Sequence, residues 1–277
     1  MDLSISIVSW NTCDILRACL KSIVETTRDI DYEIIVVDNA SSDGSTAMVR
    51  AEFPQVILIE NNDNTGFAKA NNQAYELCSG RHFLLLNSDT ICMDGALPEL
   101  VRFLDEQPNI GIVGPLVLNA DNTLQYSWAR FPTLLSEVCG MLNRHIDGCA
   151  STPKNAEEVK SLGPFKTGWI GGCCMMLRRS VIEAVGAMDE SFFMYCEEMD
   201  WCARTAAGGW EIWVDPTAEI VHLGGKSSAK TAGLAAGYLR ASKAAYFAKH
   251  STKSASIMLG LALSLKSRVA GTIRRLR

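Results

Sequence analysis

Through the first hundred residues, short β-rich runs alternate with stretches of helical period. That alternation constrains the fold more than any other feature, because it is the pattern of a parallel sheet covered by helices. Strands are expected at Ser4–Val8, Glu33–Val37, Val56–Glu60 and His82–Leu86, with helices near Cys13–Thr26, Ser45–Ala51 and Phe67–Leu77 between them. The near-continuous apolar character of these strands predicts burial on both faces. Apolar runs at Ile110–Leu118, Cys174–Leu177 and Glu211–Val214, then a polar-to-apolar stretch at Ala218–Leu223, continue the sheet with mixed strand directions. From Gly140 to Phe165, Gly, Pro, Asn and Lys occur without a clear period, which predicts mostly loop. With 277 residues, 48% of them hydrophobic, the chain can bury a sizeable core, and intrinsic disorder is excluded.

The 26 Lys and Arg against 31 Asp and Glu give a net charge of −5, which argues against nucleic acid as a partner. That average hides a segregation. Residues 1–219 hold all 31 acids, whereas residues 220–277 hold 11 cations and no acid. Helix-period apolar residues lie among those cations: Tyr238, Leu239, Tyr246 and Phe247, then Ile257, Leu261, Leu265 and Val269. A basic amphipathic helix suits an anionic membrane surface, or alternatively packs on the rest of the protein with its basic face solvated. The run Ala255–Leu265 is too short to span a bilayer by itself. The start MDLSISIVSW shows neither a cationic region nor a long apolar one, so a cytoplasmic location is expected. None of the ten cysteines forms a C-x-x-C pair or a zinc framework, so most are expected as reduced core residues.

Ligands of open parallel sheets bind beyond the carboxyl ends of the strands, and here those ends are polar. Asp38 closes the second strand and can accept hydrogen bonds from a ribose or base, whereas Asp43 and Ser45 suit the start of the next helix. After the third strand comes Asn61-Asn62-Asp63-Asn64-Thr65-Gly66-Phe67-Ala68-Lys69. Gly66 there opens a helix or a phosphate site; no P-loop and no G-x-G-x-x-G fingerprint occurs. The fourth strand runs into Asn87-Ser88-Asp89-Thr90, oxygen-bearing side chains that suit a hard divalent cation or a plain turn.

Further on, Glu197, Glu198 and Asp200 follow the aromatic run Phe192-Phe193-Met194-Tyr195. Acids at a helix start complement its dipole, but like charges so close also raise a pKa toward the range a general base needs. His222 stands at an expected strand end before two glycines, where it can share a metal with carboxylates from other strand ends.

Five collinear strings, SIVSWN, IIVVDNASSDGST, NTGFAKANNQA, FLLLNSDT and GAMDESFFMYCEEMDWCARTAAGGWEIWVDPTAEIVHLGG, resemble inverting family-2 glycosyltransferases, most closely the bacterial rhamnosyltransferase-like branch. The resemblance covers about residues 3–225. It implies an α/β GT-A fold, a Rossmann-like mixed sheet flanked by helices. Residues 1–225 would form the catalytic domain, with donor binding in about 1–118 and acceptor and catalytic groups in about 119–225; residues 226–277 would form a basic amphipathic helical extension. A nucleoside-diphosphate sugar, with rhamnose the favoured sugar, would be the donor, held by Asp38, Asn64, Gly66, Lys69, Asn87, Ser88 and Asp89. Asp89 and His222 would hold Mg²⁺ or Mn²⁺, with Asn87 standing where the family often has Asp. Glu198 would be the base, with Glu197 beside it and Asp200 as second candidate; Glu198 replaces the family's usual Asp.

Gly171 and Gly172, with Gly168, would let backbone approach the substrates, and Trp169 would either stack on a sugar or serve the core. The acceptor would be a glycan or a lipid-linked glycan of the cell surface, with the enzyme peripheral at the cytoplasmic face of the membrane. Two other functions fit a nucleotide-binding α/β chain: a sugar-phosphate nucleotidyltransferase, and a nucleotide-sugar-binding protein without catalysis.

Overall fold

The computed structural model describes residues 1–133, 136, 153–224 and 232–251. Strands β1 (Leu3–Ser9), β2 (Tyr32–Asp38), β3 (Ile57–Glu60) and β4 (His82–Asn87) alternate with helices α1 (Cys13–Thr26), α2 (Ser45–Glu52) and α3 (Phe67–Leu77). A tight turn joins β4 to β5 (Thr90–Cys92), followed by α4 (Ala96–Glu106) and β6 (Ile110–Leu118). The later part holds β7 (Trp128–Ala129), α5 (Ala156–Leu162), β8 (Phe165–Lys166), β9 (Trp169–Ile170), β10 (Cys174–Arg178) and α6 (Arg179–Val185). Helix α7 (Glu197–Ala207), β11 (Glu211–His222) and α8 (Ala232–His250) close the chain.

The main sheet runs β3-β2-β1-β4-β10-β6-β11-β5, with β8 on β11. The first four strands are mutually parallel, and β10 enters antiparallel between β4 and β6, pairing Cys174 with Leu86 and Arg178 with His82. This is the mixed α/β sheet expected from the sequence. Its faces are covered separately. Leu3, Ile5 and Ile7 of β1 pack with Leu16, Leu20 and Ile23 of α1 and with Leu100 and Leu104 of α4. On the other face Ile35, Phe83 and Leu85 meet Ala70 and Ala74 of α3 and Trp201 of α7.

Two expectations are corrected, and one helix is added to them. Strand β3 lies at the sheet edge and is only partly buried, so its apolar residues do not report burial on both faces. Helix α5 stands within the stretch read as loop, capped by Asn155, whose side chain accepts from the Glu158 N–H. Helix α4 was not anticipated, although Leu97, Leu100, Val101 and Leu104 keep helical spacing and are buried. The described cysteines are free thiols, and all but Cys13 are buried.

At the C-terminal end, Tyr246 and Phe247 of α8 pack with Phe192, Cys196 and Met199. The described part of the basic tail therefore lies on the body of the protein, while Tyr238 and Leu239 remain exposed. Ile257, Leu261, Leu265, Val269 and the run Ala255–Leu265 lie outside the described residues. Among the described residues no helix is long and apolar enough to cross a membrane.

Candidate active site

The carboxyl ends of β1, β2 and β4 open on one edge of the sheet. Asp38 is buried there, with Oδ2 accepting from the Ser41 N–H at 2.7 Å and Oδ1 without a partner. A buried acceptor left unpaired costs about 1–3 kcal/mol, and a hydroxyl or N–H of a ligand would satisfy it. Ser88 is buried and accepts from Thr12 Oγ1 at 3.2 Å.

The Asn64–Gly66 turn does something different from what its sequence suggested. Asn64 Oδ1 accepts from Asn39 Nδ2 at 3.2 Å and from the Gly66 N–H at 3.0 Å, so it builds the turn. The Phe67 N–H donates to the Phe193 carbonyl at 3.0 Å. The Gly66 and Phe67 amides are thus occupied by protein, which removes these two from a phosphate site. Gly66 has φ +86° and ψ 178°, a region open essentially to glycine alone, and a Cβ there would lie 2.6 Å from the Phe193 oxygen. Its purpose is close approach. Lys69 is exposed on the first turn of α3.

Asp89 and His222 are brought together from the β4–β5 turn and the end of β11. His222 Nε2 lies 3.1 Å from Asp89 Oδ1 and 3.2 Å from Asn87 Nδ2. A chain of amides fixes the histidine tautomer. Asn119 Nδ2 donates to the Leu124 carbonyl, so its Oδ1 accepts from Gln125 Nε2 at 2.8 Å. Gln125 Oε1 then faces His222 Nδ1 at 2.7 Å and takes the hydrogen there, so Nε2 is the nitrogen turned to Asp89 and available to a metal. An imidazole nitrogen facing a carboxylate oxygen is a donor pair that fits a divalent cation. Among the described residues no group of three or more His, Cys, Asp or Glu side chains is placed to hold a metal. Gln125 carried no signal in the sequence, since an isolated glutamine has no motif to mark it.

The acidic cluster divides into two environments. Glu197 is 4% exposed with Oε2 unpartnered, and burial together with the Glu198 charge pushes it well above the usual carboxylate range. Glu198 is half-buried, and burial pushes it up to about 7. The helix N-terminus favours the ionised acids, but desolvation outweighs it here. Asp200 is fully buried with Arg204 Nε at 2.9 Å from Oδ2, and Lys249 Nζ at 2.8 Å and His250 Nε2 at 2.7 Å from Oδ1. Burial would raise Asp200, but Lys249, His250 and Arg204 prevail and hold it low. That carboxylate is committed to ion pairs, which suits an anchor and not a base.

Gly172 joins the two walls of the site, because a Cβ on it would lie 3.2 Å from the Phe67 ring and 3.9 Å from Glu198 Cβ. The next residue, Cys173, is buried; its thiol is pushed up to about 12, chiefly by burial and further by the charges of Asp89 and Glu198. Glu198 and the Asp89–His222 pair therefore flank one short segment. The Gly171 N–H donates to the Ser127 carbonyl at 2.7 Å. Trp169 is partly buried and packs against the cluster of Phe192, Cys196, Met199, Tyr246 and Phe247. Two successive non-glycine residues, Tyr195 (φ 70°) and Cys196 (φ 67°), take left-handed conformations just before Glu197, at a cost of about 1–2 kcal/mol each.

Comparison with known proteins agrees with this geometry. Residues 4–186 match the family described as Glycosyl transferase family 2. The N-acetylglucosaminyl-diphospho-decaprenol L-rhamnosyltransferase of Mycobacterium tuberculosis is 28% identical over 206 residues, 68% of this chain and 66% of that protein. The chain thus spans just under two thirds of that relative. Rhamnosyltransferase WbbL of Escherichia coli is 25% identical over 226 residues, 79% of this chain and 82% of its own. Among solved structures, Staphylococcus aureus TarS 1-349 aligns with a TM-score of 0.55 at 14% identity, over 80% of this chain and 60% of its own. GalNAc-T7, solved with UDP, GalNAc and Mn²⁺, aligns with a TM-score of 0.59 at 15% identity, over 80% of this chain and 44% of its own. The chain belongs to Glycosyl transferase family 2 and has a GT-A fold.

Proposed function

We propose that the protein transfers a sugar, rhamnose first among candidates, from a nucleoside-diphosphate donor to a glycan or lipid-linked acceptor, inverting the anomeric centre. The observation that carries this reading is a half-buried Glu198, its carboxyl pushed up to about 7 by burial, beside the Gly172–Cys173 segment that also borders Asp89. Supporting the choice of sugar are the relatives named as rhamnosyltransferases.

In this reading Asp38 receives the nucleoside through its unpaired Oδ1, and Ser88 and Asn87 line the floor beneath the diphosphate. Asp89 and His222 would hold Mg²⁺ or Mn²⁺, which supplies charge neutralisation to the departing diphosphate. Glu198 takes the proton of the acceptor hydroxyl as that oxygen attacks the anomeric carbon, and the bond to the diphosphate oxygen breaks on the opposite face. Glu197, deeper and neutral, keeps Glu198 as the carboxylate that ionises first. Oxocarbenium-like transfer depends heavily on alignment, which the Gly172 contact supports. For the cations beyond residue 251 we retain an anionic membrane surface as partner, to be checked by liposome co-sedimentation.

The test is incubation with dTDP-rhamnose and lipid-linked acceptor extract, with and without chelator. Chelator-sensitive release of dTDP with a mass gain on the acceptor is expected. Pyrophosphate release from dTTP and a sugar phosphate would indicate a nucleotidyltransferase instead, and donor binding without turnover would indicate a binding protein.

A further inference from the structure

We propose that helix α8 is a positioning element for catalysis: through Ser242 and Lys249 it fixes the 189–200 segment, and that segment sets Glu198 against the donor wall. This rests on the function proposed above. The segment departs from helix and strand between Asp189 and Glu197, and its two left-handed residues precede the acidic pair directly. Backbone of that kind persists only where the surroundings over-determine it.

The surroundings do so from two sides. On the donor side, the Phe193 carbonyl accepts from the Phe67 N–H, and the Phe193 ring closes over Gly66, where any side chain would collide with it. From the other side, buried Ser242 donates through Oγ to the Met194 carbonyl at 2.8 Å. The Tyr238 ring lies 4.9 Å from the Phe193 ring, and Tyr246 and Phe247 pack on Phe192 and Cys196. Finally, one ammonium pins both ends: Lys249 Nζ lies 2.7 Å from Asp189 Oδ2 and 2.8 Å from Asp200 Oδ1.

The loop is therefore held between the head of α3 and the length of α8. Ser242 and Lys249 bond to Met194, Asp189 and Asp200, not to the groups assigned to the donor, so the arrangement separates alignment of the base from binding of the donor. Asp200 acquires a purpose in the same stroke, as the fixed point on α7 to which α8 is tied.

The experiment compares wild type with Ser242→Ala and Lys249→Met, using three readouts: hydrogen–deuterium exchange of the 189–200 segment, dTDP affinity with Mn²⁺, and turnover of dTDP-rhamnose. The expected result is faster exchange in that segment and turnover lowered at least about tenfold, with dTDP affinity within about twofold of wild type. Ser242→Thr, which keeps the hydroxyl, should retain turnover. Unchanged turnover in a loosened segment would overturn the proposal, as would a parallel fall of turnover and dTDP affinity, or equal damage from Thr and Ala. Unchanged exchange in both variants would overturn it without reference to activity. A wild type that turns over no donor would instead refute the proposed function, and exchange would still decide whether α8 fixes the segment.

Discussion

Replacing Glu198 by Gln should have opposite effects on activity and stability. A carboxyl that titrates near 7 in the folded protein and at 4.5 when unfolded opposes folding once ionised, by about 3 kcal/mol for full burial. Because part of Glu198 is accessible, about 2–3 kcal/mol is the reasonable expectation. The sign follows from proton binding. Below about pH 4.5 both states hold the proton and no penalty exists; the penalty grows between 4.5 and 7 and is complete above that range. Glutamine does not titrate and preserves the shape. Its advantage over wild type should therefore be small at pH 5 and rise to roughly 5 °C in midpoint by pH 8.5. Turnover should fall by about two to four orders of magnitude, since a positioned base contributes that much. Thermal unfolding at several pH values, run beside dTDP release, checks both halves. A Gln variant whose stability difference does not change with pH would refute the assignment of a desolvated, proton-accepting carboxylate.

Wild-type turnover should itself rise with pH along a limb centred near 7, measured as initial rate at saturating donor. Asp89→Ala should abolish the gain in dTDP affinity that Mn²⁺ confers, seen by titration calorimetry with and without the metal. Gln125→Leu should weaken Mn²⁺ binding about 10–100-fold by releasing the His222 tautomer, whereas Gln125→Glu, which keeps an acceptor toward Nδ1, should lose far less. Gly66→Ala should lower stability by about 3 kcal/mol in urea unfolding, because its Cβ meets the Phe193 carbonyl and its backbone leaves the allowed region.

The parallel half of the sheet was legible because its strands and helices each carry one period and one polar end. Residues 3–87 form their elements close to where the pattern put them. Edge position was not legible: Ile57 and Leu58 look like core residues, and only the strand order shows that β3 has a single neighbour. In the site, Asp38, Asp89, His222 and Glu198 stood out as charged or ligating groups at strand or helix ends. What the sequence concealed was partnership. Asp200 looks like a third catalytic acid until α8, fifty residues later, supplies Lys249 and His250 to it. Asn64 looks like a ligand residue until Asn39 and the Gly66 amide claim its oxygen. Gln125 is visible only through the amide relay that ends on His222. Long-range hydrogen bonds leave no periodic trace.

Strand β10 has a further consequence for recombining this protein with its relatives. The donor wall is built before Asp89 and the base arrives after Gly172, and the five pairs from Cys174–Leu86 to Arg178–His82 are the ladder between the two. A chimera that exchanges the portion after Gly172 must keep that register. A slip of one residue would turn Met175 and Leu177 to the opposite face and carry Gly172 away from Phe67. The register of that strand thus sets how the portion of the chain after Gly172 meets the strands before Asp89.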